Sequence, residues 1–187
     1  FGIDRIVYST YQAVSGSGVK GYADLEGGIK GEANAFYPHP IAYNVLPHID
    51  SFLDNGYTKE EMKMINETRK ILHDDSLRIT ATTVRVPVFY SHSESVNVEL
   101  KKPFELDAIR NLYSNAPGII LQDDPANNVY PLARTAENTD EVYVGRLRRD
   151  LSVDNDLNLL VVADNIRKGA ASNAVQIAFE LAKRGLI

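Results

Sequence analysis

The stretch between residues 77 and 100 constrains this chain most. LRITATTVRVPVF (77–89) is dense in β-branched residues, which favour a pleated backbone. Val96, Val98 and Leu100 then alternate with Ser95, Asn97 and Glu99, the period-2 signature of a strand with one buried face. Two such runs joined by a short polar link commit the chain to a sheet and read as one long hairpin. Pro87 has no amide hydrogen, so it marks an edge, a bulge or a bend.

The rest of the chain extends that sheet. Residues 4–14 (DRIVYSTYQAV), 119–121, 142–147 and 157–163 read as further strands, the last apolar on both faces and therefore expected in the centre, covered on both sides. A short strand is expected near 41–45, inside a Pro- and Gly-bearing loop. Thr58 and Glu61 form a capping box for a helix over 58–73, with Met64, Ile65, Ile71 and Leu72 on its apolar face. A short helix is expected from about Pro103. Another spans 168–184, with Ala171, Ala174, Val175, Ala178 and Leu181 on one face. SGSGVKGYADLEGG (15–28) is at best a short helix weakened by Gly27 and Gly28. Residues 122–141 are polar and aperiodic, long enough to suggest a functional or mobile segment. This order implies an α+β fold: a mixed, mostly antiparallel sheet with helices on one face.

Composition removes several function classes. Of 187 residues, 44% are hydrophobic and 24% charged, which excludes overall disorder. No run approaches the roughly 20 apolar residues of a membrane span, and no signal peptide is visible. Net charge is −5 and the basic residues do not cluster, which argues against a nucleic-acid partner. The chain has no cysteine, so disulfides, thiolate metal sites and a thiol nucleophile are excluded within these residues, and a cytoplasmic setting is favoured. It opens on Phe1, and its only methionines are Met62 and Met64, so it is expected to be a piece of a longer polypeptide.

Few residues stand out as chemical candidates. Gly16-x-Gly18-x-x-Gly21 matches a dinucleotide fingerprint as a bare pattern, but no second β-α-β unit follows, and Asp24 and Glu26 fall short of the ~20-residue offset such a site needs. A tight strand-to-helix turn with free amides fits better. None of His39, His48, His73 and His92 share metal-ligand spacing, so no metal is expected. His92 sits at a kink between two strand patterns, where a catalytic role competes with an ordinary surface or core one. Arg85, in an apolar strand, serves either a structural ion pair or bidentate carboxylate recognition. Simple alternation puts Arg85 and His92 on opposite faces unless the chain bends between them. Glu60 and Lys63 form an i, i+3 pair that pattern alone reads as a solvated ion pair.

Five strings together resemble the aspartate-semialdehyde dehydrogenase family in its short-looped bacterial version: STYQAVSGSG (9–18), PIAYNVLPHID (40–50), EEMK (60–63) before ETRKIL (67–72), RVPVFYSHSESVNVEL (85–100) and DNIRKGAASNAVQIA (164–178). The resemblance implies NADPH-dependent reduction of aspartyl 4-phosphate to aspartate 4-semialdehyde, a step feeding diaminopimelate, lysine, threonine and methionine biosynthesis. It implies a C-terminal domain of the glyceraldehyde-phosphate-dehydrogenase type, here residues 1–166, forming a homodimer. Residues 167–187 would be a helix packing on an N-terminal NADP-binding domain that this chain lacks.

Carried over by position, the resemblance makes His92 the acid/base, seven residues after Arg85. Gln12 would orient substrate, Arg85 would hold its carboxylate, Glu60 its amine and Lys63 the phosphate. Ser15, Gly16 and Asn165 would contact NADP, which is otherwise bound by the absent domain. The family's nucleophilic cysteine lies upstream of the glutamine motif, so the chain alone is expected to be inactive. An N-acetyl-glutamyl-phosphate reductase and a non-catalytic dimerisation module are the alternatives. Glu60 argues against the first, because an acetylated amine carries no charge to pair.

Overall fold

The computed structural model describes residues 1–187. Six strands form one sheet: β1 (Ile3–Gln12), β2 (Arg78–Arg85), β3 (His92–Leu100), β4 (Ile119–Leu121), β5 (Val142–Arg149) and β6 (Asp156–Ala163). Their spatial order is β2-β1-β3-β6-β5-β4. The β1–β2 and β4–β5 pairs are parallel and the other three antiparallel, giving the expected mixed sheet. No helix is long and apolar enough to cross a membrane.

The strands β2 and β3 are not a hairpin, because β1 lies between them. After β1 the chain leaves the sheet through α1 (Gly18–Ile29), a loop and α2 (Lys59–Leu72), then returns parallel to β1 as β2. The hairpin expectation failed because adjacency in sequence was read as adjacency in space. Pro87 does mark a bend: β2 ends at Arg85, and residues 86–91 cross the end of β1. No strand forms at 41–45. Leu46 alone bridges to Arg85, and Ile41 is instead a fully buried anchor of the loop.

Register sorts the side chains onto two faces. Ile6, Val96, Val144, Leu157 and Leu159 share one face and pack with Phe104 and with Ile109 of α3 (Leu106–Ser114) in the larger core. The α2 helix covers the same face, with the Tyr8 hydroxyl hydrogen-bonded to Thr68. Its capping box forms as the sequence predicts. Glu61 does more than cap: Oε2 accepts from the Thr58 amide and Oε1 from the Thr83 amide on the edge strand β2, satisfying a donor that the sheet leaves unpaired. The apolar face of α2 is narrower than expected. Ile65 is buried, but Ile71 and Leu72 are exposed at its last turn.

The opposite face is covered at β5 and β6. There α4 (Ala133–Ala136) packs Ala136 against Tyr143 and Val162, so β6 is interior and carries core residues on both faces, as expected. The 122–141 segment is therefore partly structured. At the end of β1 a second core forms from Val14, Leu25, Tyr37, Ile41 and Leu46. Asp24 anchors it by accepting the amides of Ala35, Phe36 and Tyr37, and α1 runs on through Gly27 and Gly28 to Ile29. The last helix, α5 (Ser172–Lys183), buries none of its residues; Phe179 is 72% exposed.

One close approach fixes how 122–141 meets the sheet. A Cβ on Gly145 would stand 1.9 Å from the Gln122 carbonyl oxygen and 2.7 Å from Pro131 Cδ. Gly145→Ala is expected to lower unfolding free energy by about 2 kcal/mol or more, because backbone must move. At Gly169 a Cβ meets only Asn165 Cβ at 4.0 Å, so Gly169→Ala is expected to be neutral or slightly stabilising. Urea unfolding of both variants measures this; equal stability of Gly145→Ala and the parent chain would refute the close-approach account.

Candidate active site

The site is assembled at the C-terminal end of β1. Gln12 lies beside Arg85 in the parallel register with β2. On the other side, the pairing of Tyr11 with Ser93 brings His92 next to Gln12. Arg85, Gln12 and His92 thus form one row across three strands, all on the face that α2 covers. Their parity conflict disappears because β2 and β3 are separate strands with β1 between them.

The crossing loop sets this row. The Val86 amide donates to Gln12 O at 3.0 Å, and the Val14 and Ser15 amides donate to Val88 O and Phe89 O at 2.9 and 3.1 Å. Ser91, buried with φ 69°, reverses the chain into β3. A single residue, Ala13, then holds both candidate side chains through the two peptide groups that flank its Cα. The Arg85 Nη1–H donates to Ala13 O at 2.7 Å, and the Ala13 N–H donates to His92 Nδ1 at 3.1 Å. With Nδ1 accepting, the neutral imidazole carries its proton on Nε2. A Cβ on Gly16 would lie 3.0 Å from Arg85 Nη1 and 3.5 Å from His92 Nε2, so a glycine there lets the turn approach both.

Burial governs the charges. It is the main cause pushing His92 down to about 4, and the Arg85 guanidinium beside it adds to the effect. Burial also lowers Arg85, whose Nε has no protein partner. The remaining edge of this fork suits a planar carboxylate. Gln12 Nε2 donates to Glu60 Oε1 at 3.2 Å, and Lys63 Nζ stands 3.5 Å from Glu60 Oε2 with its side chain exposed.

On the other flank, Ser15 Oγ and Asn165 Oδ1 are 2.8 Å apart. Asp164 fixes the Asn165 turn: Oδ1 accepts the Ile166 and Arg167 amides, and Oδ2 accepts the Asn138 amide. A cavity of 230 Å³ joins His92 to Asn165, with Glu94 and Lys168 also in its wall. All eight residues singled out from the sequence therefore surround one end of the sheet. Glu94 was missed there, although its position two residues after His92 in a strand is a readable sign of a shared face. No group of three or more His, Cys, Asp or Glu residues could hold a metal.

The family model described as "Semialdehyde dehydrogenase, dimerisation domain" matches residues 1–168. The chain belongs to this semialdehyde dehydrogenase dimerisation-domain family. The aspartate-semialdehyde dehydrogenase of Aquifex aeolicus is 54% identical over all of this chain and 57% of its own length, and that of Legionella pneumophila is 51% identical over all of the chain and 56% of its length. The crystal structure of aspartate semialdehyde dehydrogenase II from Vibrio cholerae, complexed with ASA, superposes with a TM-score of 0.91 at 45% identity, covering 97% of this chain and 55% of that one. The chain thus spans about half the length of the relatives it matches.

The buried histidine of this family member gives a pH signature. A histidine of the unfolded chain titrates near 6.5 and His92 near 4. Between those values the unfolded chain binds a proton that the folded one does not. The stability held above about pH 6.5 is therefore lost as the pH falls towards 4, by roughly 2–3 kcal/mol from this residue. Urea unfolding at pH 7 and pH 4.5 should show that His92→Gln loses less stability on acidification than the parent chain. Equal losses would refute the assignment.

Proposed function

We propose that this chain is the substrate-binding and dimerisation part of an NADP-dependent aspartate-semialdehyde dehydrogenase, acting within a longer polypeptide. One observation carries the reading. A carboxylate-seeking fork at Arg85, an anion at Glu60 and a cation at Lys63 converge around a neutral, buried imidazole. A zwitterionic amino acid bearing an acyl phosphate needs one partner of each kind. An acetylated amine would bring no positive charge to Glu60, which disfavours the acetylglutamyl alternative.

In the oxidative direction, aspartate semialdehyde, phosphate and NADP give aspartyl phosphate, NADPH and a proton. Arg85 binds the α-carboxylate and Glu60 the ammonium, fixing the aldehyde beside His92 Nε2. The Nε2–H donates to the carbonyl oxygen as negative charge develops there. The nucleophilic thiol comes from outside these 187 residues, which contain no cysteine. Lys63, exposed at the rim of the site, receives the phosphate. When bound, NADP accepts the hydride. Ser15, Gly16 and the free Asn165 amide nitrogen fit the carboxamide end of a nicotinamide, because the Ser15 hydroxyl already holds Asn165 Oδ1 and turns the NH2 outward. The chain forms a homodimer through the sheet face away from α2, and α5 packs on the domain that supplies the thiol.

Three outcomes test this. The chain alone should neither oxidise nor form NADPH, whereas mixing it with the separately produced remainder of the polypeptide should restore turnover. Turnover by the cysteine-free chain alone would overturn the mechanism. In the full-length protein, Arg85→Lys should raise KM for aspartate semialdehyde about ten- to hundredfold with little change in melting temperature, since lysine keeps the charge and loses the fork. Sedimentation at micromolar concentration should show a dimer; a monomer at every concentration would refute the association.

A further inference from the structure

Glu94 is the one ionisable side chain at the site without an explanation so far. It follows His92 by two residues in β3, so both point to the same face. Its register partners are Thr10 on β1 and Val161 on β6, neither of which carries charge. Glu60 faces it from α2, and Tyr8 faces it from β1. Burial raises the Glu94 carboxyl above the usual range, and the Glu60 charge raises it further; no hydrogen bond acts on it. Lys168, in the same cavity, does not supply the missing cation, because its Nζ donates to Gln176 Oε1 at 2.8 Å.

Two carboxylates thus flank the Thr10–Gln12 row, with a cavity in front of one and no fixed cation near both. Such an arrangement is unfavourable when empty and is relieved by a positive charge placed between them. We propose that Glu94 is a second binding residue for the substrate ammonium, shared with Glu60, and that it sets selectivity for an α-amino semialdehyde over one lacking the amine. The proposal rests on the function read above. Arg85 recognises any short carboxylic acid with an aldehyde, so the ammonium is what distinguishes the amino substrate, and discrimination grows when the des-amino analogue brings no cation to Glu94, on which no hydrogen bond acts, or to Glu60 facing it.

The test compares aspartate semialdehyde with succinate semialdehyde, which replaces the ammonium by hydrogen, in the full-length protein containing this chain. Glu94→Gln is expected to reduce the ratio of kcat/KM values for the two substrates at least about tenfold, mainly through KM for aspartate semialdehyde. KM for succinate semialdehyde should not rise. Glu94→Asp, which keeps the charge on a shorter stem, should reduce the ratio by a smaller factor and serves if the glutamine variant does not fold. An unchanged ratio in either folded variant, or an equal loss for both substrates, overturns the assignment of Glu94. A parent protein inactive towards aspartate semialdehyde overturns the function reading itself, and this proposal with it.

Discussion

Ala13 is the joint on which the site depends. Its carbonyl oxygen accepts from the Arg85 guanidinium and its N–H donates to the His92 imidazole, so the two successive peptide planes that meet at its Cα, held extended at φ −66° and ψ 155°, set the direction of both side chains. The residue is well placed to do so. Ala13 is fully buried at the end of β1, a strand flanked on both sides, and the crossing loop ties the residues around it through three backbone hydrogen bonds. A side chain carried by a mobile loop would need its own packing to reach comparable order. Here the sheet supplies the order, and Gly16 supplies the room for the turn to pass over both groups.

The charges around that joint work against stability. Arg85 is buried with Nε unpartnered, Glu94 is half-buried with another carboxylate facing it, and His92 is held neutral. Each arrangement costs free energy that the two apolar cores must offset. The cores are placed accordingly. The larger lies under β1, β3, β5 and β6 away from the charged row, and the smaller packs directly behind it around Val14 and Ile41. The same burial that disfavours these charges in the empty site strengthens their interaction with a ligand of complementary charge.

Much of this was legible in the sequence. Runs of β-branched and alternating apolar residues located all six strands, and the capping box located α2 to within a residue at its start. Strings of residues also pick out the eight positions that the fold gathers at one end of the sheet. What could not be read was order in space. Alternation says which residues share a face within one strand, not between strands, so Arg85 and His92 seemed opposed until β1 was found between their strands. The expected strand at 41–45 failed for a related reason: Ile41 is apolar because it anchors a loop in the smaller core, and a short apolar run does not reveal which use it serves. Glu94 is less legible because a glutamate in a polar stretch looks solvated, whereas the register places it on the face that α2 covers.

The site and the unpacked end of the chain are mechanically joined. Asn165 sits on a turn whose first residue, Asp164, is buried and tied by three amides. Two residues further on, Arg167 makes a paired contact with Asp140 at 2.8 and 2.9 Å. That pairing is the first cause holding the Asp140 carboxyl down at about 2. Beyond it the chain runs through one wide turn, Arg167–Ala171, into α5, which buries nothing. The turn is therefore clamped on the side of the sheet and free on the side of the helix. Any surface that covers Val175, Phe179 and Leu181 clamps the second side, and the wide turn lies between the two clamps. That turn carries Lys168 and Gly169, which line the cavity beside His92 and Asn165, so a contact that removes the exposed helix from water also acts on a segment of the cavity wall.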